Sequence, residues 1–295
     1  MRALIKTVLV VLGLAAALPA LAEQTIPAQA DWDAARQKVT TADGVTLAYV
    51  QLAKGAGMPL ILLHGYTDNS RSWSLVAPYL GDDRPIYALD LRGHGASDAP
   101  ACCYGIDTLA HDLGAFMDAL NIEKADIVGH SLGSITAGVF AATQPQRVNK
   151  LVLVSSALTL PAGARDWLWD NVSTLQHPID PNSQFMLDWY YNPNPVDQDF
   201  IARERAESAA RSQQVWVGVL VGLSLLDWTP LASRIAAPTL ILWGDQDGFF
   251  GQAEEDALRA ALPKARFEAF PGYGHNMFWE VPERAGGLIG AFLAQ

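Results

Sequence analysis

The stretch "DIVGHSLGSITAGVF", residues 126–140, sets Ser131 between two glycines, directly after an apolar run and directly before a helix-period one. The run ADIVG (125–129) has the length and continuous apolar character of a buried parallel strand. From Leu132 onward, LGSITAGVFAA can form a helix. The change from strand to helix therefore falls on Ser131. A chain that turns so sharply holds the turning residue in a strained backbone conformation, and the glycines at 129 and 133 leave room for neighbouring backbone. The hydroxyl then stands exposed at a helix N-terminus, where developing negative charge is stabilised. The competing reading is a plain glycine-flanked turn, and the rest of the chain decides between the two.

Working outward, VTLAYVQL (45–52) follows the turn signal Asp43-Gly44 and reads as an outer strand. PLILL (59–63), PIYALD (85–90), LVLVS (151–155) and TLILWG (239–244) repeat the buried-strand pattern, and ARFEAF (265–270) is a further strand. Ile106, Leu109, Ala110, Leu113, Phe116, Met117 and Leu120 fall at helical spacing, and a last helix runs from Pro282 to Ala294. Alternating strands and helices predict an α/β fold with a mostly parallel open sheet and helices on both faces. The alternation stops after Ser155 for about 75 residues rich in tryptophan. That interruption is read as an inserted, mainly helical cap, which divides the chain into core (23–157), cap (158–231) and core again (232–295).

Residues 1–22 carry a basic start (Arg2, Lys6), an apolar run and a small-residue ending at Ala22, the pattern of a signal peptide cleaved before Glu23. The expected location is periplasmic or secreted. The whole chain has a formal charge of −11, and losing the leader removes two cations and no acid. So acidic a protein repels polyanions, which argues against nucleic acid and for a small neutral or apolar substrate. VWVGVLVGLSLL (215–226) is too short to span a bilayer and reads as a buried helix, so no stable membrane insertion of the mature chain is expected. The two cysteines, Cys102 and Cys103, are adjacent. In an oxidising compartment they have only each other, so a vicinal disulfide is a possible state, with free, partly buried thiols as the alternative. One upstream histidine, His94, and no further cysteine make a poor zinc site; no metal or cofactor is expected.

A serine nucleophile needs a base, and the base an orienting acid. Of six histidines only His177 and His275 follow Ser131, and His177 falls in the cap. His275, in a loop after the last strand, is the candidate base. Asp245 and Asp247 both lie just past the end of TLILWG, and either spacing allows contact with His275. His64, at a strand end before Gly65, is read as a residue shaping the oxyanion loop, and His130 and His94 as elbow and turn packing. Five of the nine tryptophans (Trp167, Trp169, Trp189, Trp216, Trp228) lie in the cap, where one or two are expected to face an apolar cleft.

Together LLHGYTDNSRSW, ALDLRGHGASD, VGHSLG, LILWGDQD and GYGHNMFWEVPE resemble the α/β-hydrolase superfamily, in its exported-esterase-like form with a helical cap. The resemblance runs from about residue 45 to the C-terminus. It implies Asp247 rather than Asp245 as the triad acid, and backbone N–H groups of Tyr66 and Leu132 as the oxyanion donors. The activity it implies is hydrolysis of carboxylic esters of small to medium apolar substrates through an acyl-enzyme. Lactonase or thioesterase action shares the same chemistry, and C–C bond hydrolase or cofactor-free haloperoxidase action the same triad. A non-catalytic ligand receptor would need only the pocket. Serine at position 131 argues against dehalogenase and epoxide hydrolase chemistry, which uses an aspartate there.

Overall fold

In the computed structural model, which describes residues 25–295, eight strands form a single sheet. The leader read at residues 1–22 lies outside the described residues. In chain order the strands are β1 (Gln37–Thr40), β2 (Thr46–Lys54), β3 (Leu60–Leu63), β4 (Pro85–Leu89), β5 (Ala125–His130), β6 (Val148–Val154), β7 (Thr239–Gly244) and β8 (Arg266–Phe270). Across the sheet they run β1-β2-β4-β3-β5-β6-β7-β8. The pairs β1/β2 and β2/β4 are antiparallel, and every later pair is parallel.

Burial explains why the middle of this sheet was readable. All residues of β3, β5 and β7 are buried, so their side chains need to be apolar on both faces. The outer strand read at 45–52 is not the edge. β1 covers it, and only Val39 of its four residues is even half-buried, so the polar run Gln37–Thr40 shows no hydrophobic pattern. It is held by backbone pairing to β2, which leaves little trace in side-chain type.

The helices follow the same logic. After α1 (Trp32–Ala35), α2 (Ile106–Ala119) packs one apolar face on α3 (Leu132–Thr143), which is buried almost throughout. Five helices stand between β6 and β7: α4 (Ala162–Val172), α5 (Gln184–Trp189), α6 (Gln198–Ala209), α7 (Gln213–Ser224) and α8 (Thr229–Ala232). A two-residue antiparallel bridge, Thr159 with Asp227, joins the two ends of this segment, and Trp228 Nε1 donates to the Ala157 carbonyl at 2.8 Å. The chain closes with α9 (Gln252–Ala261), α10 (Met277–Glu280) and α11 (Pro282–Leu293). No helix among the described residues is long and apolar enough to cross a membrane.

Strand order reverses about β3: β4 lies on one side of it and β5 on the other. A crevice opens at the carboxyl end of a parallel sheet where such a reversal occurs. The start of α3 crosses that end at very short range. A Cβ on Gly129 would lie 2.2 Å from the Gly133 carbonyl oxygen, and one on Gly133 would lie 2.4 Å from the Leu63 carbonyl oxygen. Both obstacles are backbone, which cannot swing aside. Gly133→Ala is expected to cost about 3 kcal/mol, the upper range for overpacking. By contrast Gly287, inside α11 with nothing within 4 Å of its Cβ position, should give about 0.5–1 kcal/mol of added stability as Gly287→Ala. Denaturant midpoints of the two variants, measured side by side, check both signs.

Candidate active site

Ser131 sits between β5 and α3 with φ +49° and ψ −118°. A non-glycine residue there costs of order 1–3 kcal/mol, and its neighbours must hold it in place. They do so on both sides of its backbone. The Ser131 N–H donates to the Val154 carbonyl at 3.0 Å, while its carbonyl accepts from Ser134 N–H at 2.9 Å, Ile135 N–H at 3.0 Å and Ser134 Oγ at 2.6 Å. Ser131 thereby stands on the wall of a pocket.

His275 lines the same pocket, in the loop after β8. Its Nδ1–H donates to Asp247 Oδ2 at 2.7 Å. The other oxygen of Asp247 accepts from the N–H groups of Phe249 and Phe250 at 2.8 and 3.0 Å, so the carboxylate cannot rotate away from the imidazole. Asp245 faces elsewhere: it accepts from the Gly272 N–H at 2.6 Å and tightens the turn after β8. The main chain of His275 is fixed by two residues that sequence reasoning did not place at the site. Its carbonyl accepts from Ser155 Oγ at 2.7 Å and from His130 Nε2–H at 3.1 Å. Burial holds His130 well below the ordinary histidine range, so it is a neutral donor and not a second base.

Two further histidines, His64 and His94, are held by their hydrogen-bond partners. His64 donates from Nδ1 to the Gly65 carbonyl at 2.7 Å and accepts the Leu91 N–H on Nε2 at 2.9 Å. Burial lowers it to about 3, as it does His94, whose Nδ1 bonds the Arg92 carbonyl at 2.8 Å. Neither can exchange protons near neutrality. His177 is exposed in the cap segment.

Tyr66 and Leu132, the two expected oxyanion donors, follow β3 and open α3 respectively. Among the described residues neither backbone N–H has a hydrogen-bond partner, which leaves both available for an incoming oxygen. The Tyr66 side chain is buried, donates its hydroxyl to the Trp216 carbonyl and packs edge-on against Trp189 and Trp216. Of the five cap tryptophans, Trp189 lines the pocket, Trp167 lines an adjoining one that shares His275 and Phe249, and Trp216 and Trp228 are fully buried. Asp68 and Tyr190 also line the pocket and bond to each other at 2.8 Å; they lie 122 residues apart, and nothing in the sequence pairs them.

Cys102 and Cys103 are both free and exposed, so the disulfide that their adjacency allowed is not formed in this structure. They meet as hydrogen-bond partners instead, and that bond raises the Cys103 thiol above its ordinary value.

The family model described as the alpha/beta hydrolase fold matches residues 58–282. A 2-hydroxy-6-oxononadienedioate/2-hydroxy-6-oxononatrienedioate hydrolase of Paraburkholderia xenovorans is 29% identical over 273 residues, spanning 87% of this chain and 94% of its own length. A hydrolase from Pseudomonas aeruginosa has a solved structure that superposes with a TM-score of 0.79 at 26% identity, over 88% of this chain and 98% of its own. An esterase from Exiguobacterium antarcticum shares the fold, with a TM-score of 0.77 at 21% identity over 88% of this chain and 99% of its own.

An imidazole oriented by a fixed carboxylate lines the same pocket as a serine held in a strained turn, the set of groups that nucleophilic catalysis by a hydroxyl requires. Asp247→Asn keeps the shape of the site but reverses the preferred tautomer of His275. Reaction of Ser131 with a fluorophosphonate should then slow by about 10³–10⁴. Asp245→Asn should alter this rate less than about threefold, since its bonds end in a turn. Time-resolved intact-mass spectrometry of the labelled protein measures both.

Proposed function

Because this chain belongs to the alpha/beta hydrolase fold family, we propose that it hydrolyses carboxylic esters of small to medium apolar substrates. The observation that carries the reading is the 2.7 Å Asp247–His275 hydrogen bond opening onto the pocket wall that holds Ser131. In this mechanism His275 Nε2 takes the Ser131 proton as Oγ attacks the ester carbonyl. The N–H groups of Tyr66 and Leu132 receive the oxyanion, each worth about 3 kcal/mol. The alcohol leaves with the proton from His275, and water, activated by the same ring, releases the acid from Ser131.

The pocket lining supports a neutral substrate over an acidic one. Leu160, Leu168, Leu223, Phe249, Phe250 and Trp279 form much of it, and no arginine or lysine is among the described residues that line it. The adjoining pocket likewise has no cation and contains Asp188. The Paraburkholderia relative is named for a substrate with two carboxylates. Here such a dianion would be desolvated without a counter-ion. Export also belongs to this reading, supported by the basic start and apolar run before Glu23, so intact mass of the purified periplasmic or secreted protein should begin at Glu23.

Turnover of p-nitrophenyl butyrate should vanish in Ser131→Ala with the fold unchanged, and retention of substantial activity would sink the mechanism. Adding a terminal carboxylate to the acyl chain should lower kcat/KM by at least about tenfold, because the charge is desolvated against a lining that offers no cation. The opposite ranking, or faster cleavage of a dienedioate than of any neutral ester, would replace ester hydrolysis with C–C bond hydrolysis.

A further inference from the structure

The segment that follows β3 is bonded to the cap at nearly every position. Tyr66 donates to the Trp216 carbonyl. Thr67 Oγ1 receives Trp189 Nε1 at 3.0 Å and Ser208 Oγ at 2.7 Å. Asp68 Oδ1 receives the Tyr190 hydroxyl at 2.8 Å, Arg71 pairs with Glu207 at 2.6 Å, and Ser72 Oγ donates to Glu204 at 3.4 Å.

Asp68 differs from the others in being a carboxyl on the wall of the reacting pocket, with Ser131 and His275. It also lies against the backbone that precedes Tyr66. A Cβ on Gly65 would meet Asp68 Oδ2 and His130 Nδ1 at 2.9 Å each. The carboxyl therefore occupies the space directly beside the Gly65–Tyr66 peptide. Behind it Glu204, on α6, is completely buried, and its Oε1 has no hydrogen-bond partner among the described residues. Tyr190 in turn stacks on Trp279 at 6.2 Å with the rings 7° from parallel.

We infer that Asp68 is a positioning residue for the reaction proposed above: through its hydrogen bond to Tyr190 it holds the Gly65–Tyr66 peptide and the cap in one arrangement, with Glu204 as its partner in a buried acid pair. The inference rests on the roles given there to Ser131, His275 and the Tyr66 N–H. Burial pushes Asp68 up to about 7, against the Tyr190 hydroxyl, His275, Ser72 and the Gly65 N–H, all of which favour its ionised form. Glu204 is held well above the usual carboxylate range by burial, with Asp68 and Glu207 adding to the effect and Arg71 and Arg36 opposing it. His130, neutral in its buried site, supplies no counter-charge. Near neutrality the pair therefore keeps a proton. Once Asp68 ionises, its charge lies on the wall of the same pocket in which the carbonyl oxygen turns negative, and opposes that developing charge. Ionisation comes with rising pH, so the activity lost in this way lies on the alkaline side.

The test compares Asp68→Ala, Asp68→Asn, Tyr190→Phe and the double variant Asp68→Ala/Tyr190→Phe with the parent enzyme, for kcat, KM and the kcat/KM–pH profile on p-nitrophenyl butyrate. Circular dichroism melts check folding, and Tyr190→Phe keeps the ring on Trp279 should Asp68→Ala fail to fold. Asp68→Ala and Tyr190→Phe should each lower kcat about tenfold with KM within about twofold, since a misplaced oxyanion donor acts on the transition state. The double variant should lose little more than either alone. Asp68→Asn accepts the Tyr190 bond without ionising, so it should recover most of the kcat lost in Asp68→Ala and lack the alkaline fall centred at about 7. Wild-type kcat in Tyr190→Phe, a change confined to KM, or an unaltered profile in Asp68→Asn each overturns the inference. Ser131→Ala in the same series separates the two claims. Residual turnover there defeats the serine mechanism, whereas an inactive Ser131→Ala beside unaffected Asp68 and Tyr190 variants defeats only the role of Asp68.

Discussion

Three backbone segments meet at the carboxyl end of the sheet with no room for a side chain between them: the end of β3, the end of β5 and the first turn of α3. The two distances that show it, 2.2 Å from a Gly129 Cβ to the Gly133 carbonyl and 2.4 Å from a Gly133 Cβ to that of Leu63, are below any real Cβ contact. Much else at the site depends on this approach. It puts the free N–H of Leu132 and that of Tyr66 on neighbouring segments, and the positive-φ turn at Ser131 lies between two of the three. The strain is held by four hydrogen bonds to the Ser131 backbone, three of them accepted by its own carbonyl from the first turn of the helix it starts.

His275, the proposed base, is secured by a different device. His275 lies in a loop, which alone would leave its ring free to wander. Its side chain is tied to Asp247 on one strand end, and its carbonyl to Ser155 and His130 on two others. A loop residue thus has three attachments to the rigid sheet. Burial keeps His130 uncharged; an imidazolium in the same place would oppose the positive charge that His275 acquires in the proposed mechanism.

How much of this the sequence discloses follows from what each contact demands of side-chain type. Strands buried on both faces demand apolar runs, so β3 through β7 could be read, and the strand-to-helix turn at Ser131 with them. β1 demands nothing but backbone pairing, and it was missed. Asp245 and Asp247 cannot be separated by spacing. Their difference appears only when the chain is folded, one carboxylate caught by two phenylalanine N–H groups and the other by Gly272. The anchors of His275 accept or donate through a main-chain carbonyl, which every residue possesses, so no motif could have named Ser155 or His130. Asp68 and Tyr190 pair across a separation that local patterns do not reach. For the cysteines, adjacency in sequence allowed either a bond or free thiols, and the structure holds the latter.

The bridge between Thr159 and Asp227 gives the cap two ends that are side by side. A closed insertion of this kind enters the core as though it were a short connection, because the cost of bringing its ends together grows only slowly with the length between them. The sheet registers the seam and not its contents. Lineages of such chains can therefore lengthen, shorten or exchange everything between the two bridge residues while the machinery beneath is inherited unchanged. New substrate ranges become accessible to recombination at a single joint, without a new fold having to be discovered.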